Sequence, residues 1–97
     1  MELRGRRVCV TGLGVSGPPV ARALLKHGAH VTVVEGRDDD VNRERARTLR
    51  ELGATVELGE PTTLPAGTDL VVTSPGWRPD APVLVAAADA GVEVVGD

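Results

Sequence analysis

Val8-Cys9-Val10-Thr11-Gly12-Leu13-Gly14-Val15-Ser16-Gly17 is an apolar run that breaks into three spaced glycines. The spacing G-x-G-x-x-G is expected where a buried strand turns sharply into a helix. Gly12 permits the tight turn. Gly14 lacks a Cβ, so a phosphate can approach the backbone. Gly17 lets the helix lie close on the strand. The free N–H groups and positive dipole end of that helix favour an anion at the turn.

The flanking sequence supports this reading. After Gly17, Val20, Ala23 and Leu24 form one apolar stripe, with Ala21 and Leu25 beside it. Pro18 and Pro19 are expected in the first helical turn, where a missing N–H costs little, although they remove two donors from an anion site. Ser16 is placed to cap this helix or to touch an anion. Lys26 and His27 close the helix, and Gly28 stops it. A second strand, His30 to Glu35, ends in an acid 18 residues past Gly17. That is close to the offset of about 20 for a ribose-binding carboxylate.

Further along, an aspartate of Asp38–Asp40 is expected to cap a helix from about Val41 to Leu52. Val41, Ala46, Leu49 and Leu52 are its candidate core face. Arg43, Glu44, Arg47, Arg50 and Glu51 make a solvated face of interspersed charges. Ala54 to Leu58 is a third strand and Leu70 to Thr73 a fourth. Asp80 is the expected cap of a helix from Ala81 to Ala90, and Val92 to Val95 is a fifth strand. The fold class that follows is α/β: a Rossmann-like, doubly wound, five-stranded parallel sheet of order 3-2-1-4-5. Gly12–Gly17, Glu35–Arg37 and Ser74–Gly76 then meet at one C-terminal sheet edge, where ligands bind in open α/β sheets.

Ninety-seven residues make one domain, 1–97. With no Phe or Tyr and a single Trp, the core must be aliphatic. Basic groups number 11 against 14 acids, Lys26 is the only lysine, and the signs are mixed. No basic field for nucleic acid arises. Arg4, Arg6 and Arg7 precede an apolar run, but glycines and prolines break it, so it reads neither as a leader nor as a membrane span. Cys9, the lone cysteine, is expected to be a small buried hydrophobe in a reducing compartment. His27 and His30 have no partners at metal-ligand spacing. No nucleophile–base pair, metal cluster or triphosphate loop is visible, so the chain reads as a binding module with no catalytic residue. Glu35 can accept from a ribose hydroxyl or a base N–H. Arg37 can meet a phosphate or a base carbonyl. Ser74-Pro75-Gly76 offers a hydroxyl and an exposed turn.

These same segments carry a resemblance. Gly12 to Gly17, the strand end Val33-Val34-Glu35-Gly36-Arg37, and Val71-Val72-Thr73-Ser74-Pro75-Gly76 look like parts of one family. Pro79, Pro82 and an alanine-rich helix to Gly91-Val92 follow in the same pattern. Together they resemble the N-terminal domain of the Mur ligases of the MurD type, from about Arg7 to Gly96. The resemblance implies binding of the UDP part of UDP-N-acetylmuramoyl-L-alanine. Gly14, Val15, Ser16 and Gly17 would lie against the diphosphate. Glu35, Gly36 and Arg37 would surround the uracil, and Ser74, Pro75 and Gly76 would complete the pocket. The family usually has Asp where this chain has Glu35.

The resemblance also implies a parent enzyme: an ATP-dependent, ADP-forming amide ligase adding D-glutamate in cytoplasmic peptidoglycan precursor synthesis. Its ATP, magnesium and D-glutamate sites would lie on central and C-terminal domains in cis. Residues 1–97 are then the non-catalytic first domain, expected to bind UDP weakly alone, with no nucleic acid or membrane partner. Two other readings stay open: an NAD(P)-binding Rossmann domain, and a packing module with no ligand.

Overall fold

The computed structural model describes residues 3–14, 17–59, 63–74 and 77–96. Parallel strands and helices follow in the order β1 (Arg7–Thr11), α1 (Gly17–Lys26), β2 (His30–Glu35), α2 (Asp40–Glu51), β3 (Thr55–Leu58), β4 (Leu70–Thr73), α3 (Pro82–Asp89) and β5 (Glu93–Gly96). They form one sheet of order β3-β2-β1-β4-β5, the order expected from the sequence. Register pairs Val10 with both Val33 and Val72, so the strand ends line up along a common rim.

Right-handed crossovers put α1 and α2 on one face and α3 on the other, because the chain reverses its winding after β3. Side-chain alternation separates two apolar layers accordingly. Val8, Val10, Val31, Val33, Leu70 and Val72 pack under Ala21, Leu24, Ala46 and Leu49. On the opposite face Cys9, Val34 and Val71 pack under Val83, Leu84 and Ala87. The sheet's N-terminal side is clasped by Asp69: its carboxylate accepts from the Arg7 N–H at 2.9 Å, and its own N–H donates to the Arg7 carbonyl at 2.7 Å.

Helix rotation corrects three sequence expectations. In α1 the buried stripe is Gly17, Ala21 and Leu24, while Ala23 is exposed. In α2 it is Asn42, Ala46 and Leu49, whereas Val41 and Leu52 are 59% and 53% exposed. Both stripes follow i, i+4, i+7, a narrower band than hydrophobicity alone suggested. Asp39, with its side chain accepting from the Asn42 N–H at 2.9 Å, is the aspartate that caps α2. Asp80 does not cap α3. The N-cap is Ala81, with no side-chain bond, and Asp80 is held by Arg78 at 3.1 Å and 3.2 Å. Pro18 and Pro19 do lie in the first turn of α1.

Burial and the nearby Glu57 charge push the Cys9 thiol from 9.0 up to about 12. The folded state therefore holds the proton where the unfolded chain would release it. This contribution to stability is intact below pH 9 and is lost as pH rises towards 12. At pH 8 Cys9 is expected to react with an aromatic disulfide only at the rate of global unfolding. Labelling of the native protein as fast as of a free thiol would contradict this.

Candidate functional site

The rim at the C-terminal ends of β1, β2 and β4 is built by hydrogen bonds between distant segments. Thr11, fully buried, donates its hydroxyl to the Thr73 hydroxyl at 2.8 Å, tying the ends of β1 and β4. Ser74 Oγ donates to the Thr11 carbonyl at 2.8 Å. The Gly12 N–H donates to the Val34 carbonyl at 2.8 Å, which carries β1's ladder one step into the turn. Glu35 Oε1 accepts from the Leu13 N–H at 2.8 Å, and Glu35 Oε2 from the Arg37 N–H at 2.9 Å. The turn, the β2 end and the β4 end thus converge as the sequence placed them.

The glycines divide by role. Gly12 has φ +101°, a conformation that L side chains rarely adopt, and a Cβ there would meet Trp77 Nε1 at 2.9 Å and Ser74 Oγ at 3.0 Å. A Cβ on Gly17 would lie 1.9 Å from the Gly12 carbonyl oxygen, so strand end and helix start are in direct backbone contact. Gly14 and Gly36 differ: a Cβ on either meets nothing within 4 Å among the described residues. Those two positions leave the backbone open from the outside.

Beside the turn lies an open cleft of about 430 Å³, lined by Glu35, Gly36, Trp77, Arg78, Asp80, Ala81 and Pro82. Trp77 is half-buried, packs on the α3-side core and gives the cleft its one aromatic surface. Arg37 is exposed at the β2 end. Of the sequence-predicted site residues, Gly14, Gly17, Glu35, Gly36, Arg37 and Ser74 are brought to this rim. Val15, Ser16, Pro75 and Gly76 lie outside the described residues, as does the expected Ser16 cap.

Two contributors were not singled out from sequence. Trp77 follows directly on Ser74-Pro75-Gly76, where no motif in the sequence marks it as a wall of the cleft. Arg45 was hidden among the charges of α2, yet its Nη1 donates to the Leu13 carbonyl at 2.8 Å. Its neighbours keep to solvent, with Arg43 on Asp38 and Arg47 on Glu44 in exposed pairs. Among the described residues no group of three or more His, Cys, Asp or Glu gathers as metal ligands. No helix is long and apolar enough to cross a membrane, again among the described residues.

Chemically, this rim has open backbone beside a cleft with one aromatic wall, features that suit an anion next to a planar group. Open backbone at Gly14 and the start of α1 suit the anion. An indole face and the Glu35–Arg37 segment suit a flat polar ring.

Solved structures share the fold. L-tryptophan dehydrogenase from Nostoc punctiforme superposes with a TM-score of 0.65 at 20% identity, covering 96% of this chain and 33% of that one. The ligand-free 5-ketofructose reductase of a Gluconobacter strain gives 0.62 at 21% identity, covering 98% of this chain and 46% of that one. Sequence comparison is more specific. The chain is 99% identical over 97 residues to the UDP-N-acetylmuramoylalanine–D-glutamate ligase of Thermobifida fusca, covering 21% of that protein. It is 56% identical over 94 residues to the ligase of the same name from Streptomyces avermitilis, covering 20% of it. The chain thus spans about a fifth of the length of the curated relatives it matches. Residues 6–96 match the family described as Mur ligase MurD-like, N-terminal domain, and to that family this chain belongs.

Proposed function

We propose that this chain binds the UDP moiety of UDP-N-acetylmuramoyl-L-alanine, as the first domain of an ATP-dependent ligase that adds D-glutamate during peptidoglycan precursor synthesis in the cytoplasm. The observation that carries it is the convergence on one rim of the glycine turn, Glu35 and Ser74, held by bonds of 2.8 Å. The ligase names of the relatives, and family membership over residues 6–96, point to the same substrate.

On this reading the diphosphate lies over Gly14, Val15, Ser16 and Gly17. Pro18 and Pro19 offer it no N–H, so fewer donors meet it than at a glycine turn without prolines. The uracil lies along the Glu35–Gly36–Arg37 segment, with Ser74, Pro75 and Gly76 closing the pocket and Trp77 forming the cleft wall. Each Glu35 oxygen already accepts one backbone N–H and keeps a lone pair for a base N–H. The chain has no catalytic role of its own here: it binds and orients. ATP and magnesium are supplied to the reaction by the other domains in cis, and the described residues do not fit a divalent-ion site.

Trp77 is the only tryptophan in a chain without Tyr or Phe, so its fluorescence reads this cleft alone. Titration with UDP is expected to change that emission saturably and to raise the melting temperature, while NAD and NADP do neither. Equal responses to NAD would favour a dinucleotide-binding domain instead. No response to any of the three would favour a packing module.

A further inference from the structure

Leu13, between the first two glycines, is gripped on every side. Its N–H donates to Glu35 Oε1 at 2.8 Å. Its carbonyl accepts from Arg45 Nη1, also at 2.8 Å. Its side chain is fully buried in the layer under α1 and α2. The two grips come from different elements, the end of β2 and the middle of α2, so both peptide planes flanking Leu13 are fixed from outside the turn.

Orientation follows from peptide geometry. In a trans peptide the carbonyl and the next residue's N–H point in opposite directions. No cis peptide occurs among the described residues. Drawing the Leu13 carbonyl towards Arg45 on α2 therefore turns the Gly14 N–H away from α2. That N–H has no partner among the described residues, and the space outside Gly14 is open. A turn carrying three glycines is otherwise among the least constrained stretches of backbone, because glycine loses the most freedom on ordering.

We infer that Arg45 is a positioning residue: together with Glu35 it locks the Leu13 peptide so that the Gly14 N–H is presented to a phosphate oxygen before the ligand arrives. This rests on the reading of the rim as a UDP site. It assigns to an arginine on the solvent side of α2 a share of ligand affinity without any contact to the ligand. Preorganised donors bind more tightly because less freedom remains to be lost on binding.

The test compares Arg45→Met, which keeps the stem but not the donor, with Arg45→Lys and with Arg43→Met. Arg43 is a control for charge, since it sits on the same helix in an exposed pair with Asp38. In ligand-free protein Glu35 still accepts from the Leu13 N–H in Arg45→Met, but the turn opens more easily once the Leu13 carbonyl is released, so amide hydrogen exchange at Leu13 is expected to speed up by about tenfold. The Gly14 amide resonance should shift with it. UDP affinity by Trp77 fluorescence should weaken by about tenfold, and the melting temperature should fall by about 6–11 °C, as the loss of one charge-assisted bond requires in a domain of this size. Arg45→Lys should recover part of both, and Arg43→Met should change neither. Wild-type exchange and wild-type UDP affinity in Arg45→Met would overturn the inference, as would equal weakening in Arg43→Met. If the wild type itself gives no UDP response, the UDP assignment of the rim falls first, and the inference with it. If the wild type binds UDP and Arg45→Met binds equally well, only the role of Arg45 falls.

Discussion

Gly17→Ala is expected to lower the melting temperature by about 12–24 °C, from a cost of about 3 kcal/mol and the usual sensitivity of a domain this size. The added Cβ would sit 1.9 Å from the Gly12 carbonyl oxygen and 2.9 Å from its carbon. Both are backbone atoms, so no side-chain rotation relieves the clash. The start of α1 must lift off the end of β1 instead. Ala21 and Leu24 share the stripe with Gly17, so lifting the helix also loosens its contacts with Val8, Val10 and Val33. The Gly12 N–H bond to the Val34 carbonyl is strained by the same movement. Overpacking at a rigid site costs at the upper end of the range of about 1–3 kcal/mol, or beyond it, against a total stability of about 5–15 kcal/mol. Thermal unfolding followed by circular dichroism measures this. A melting point within about 3 °C of wild type would mean that strand and helix separate more easily than their contact suggests.

The sheet order was legible because it depends on a coarse pattern. Apolar runs such as Val8–Thr11 and Leu70–Thr73 alternate with helical stripes, and crossover handedness leaves few topologies. Strand positions moved by no more than one residue, as at β5, which runs from Glu93 to Gly96 rather than from Val92 to Val95. Helix faces were less legible. α2 packs on β3, the edge strand, so only a narrow stripe of it is covered, and Val41 and Leu52 fall outside despite their hydrophobicity. Asp80 is a good cap by type, but it lies one residue too early and pairs with Arg78.

At the rim, glycine spacing and a strand-end acid are local signals and could be read. Arg45 could not, because its partner is a backbone carbonyl 32 residues away whose position depends on how α2 is rotated. Glu35 stands at the rim, at the end of β2. That its two oxygens brace the backbone of Leu13 and Arg37 was not visible in a motif that speaks only of ligand contacts.

Gly14→Ala separates folding from binding at the same turn. Among the described residues a Cβ at Gly14 meets nothing within 4 Å, and the backbone there is outside the left-handed region, so alanine fits the space they leave. The melting temperature should stay level or rise slightly, since replacing glycine at a compatible site stabilises by about 0.4–1 kcal/mol through the unfolded state. Binding should respond in the opposite way. A phosphate oxygen bonded to the Gly14 N–H would lie about 2.9 Å from that nitrogen, where an added methyl crowds it. Either the bond lengthens or the diphosphate shifts along the turn. The expected loss is about 2 kcal/mol, or about thirtyfold in UDP affinity. Trp77 fluorescence titration beside a thermal melt reads both quantities on one sample. Loss of UDP affinity with an unchanged melting point is the signature of a ligand lying on the turn. Unchanged affinity with an unchanged melting point would place the diphosphate elsewhere and leave the three glycines with only the packing role that Gly17 already shows.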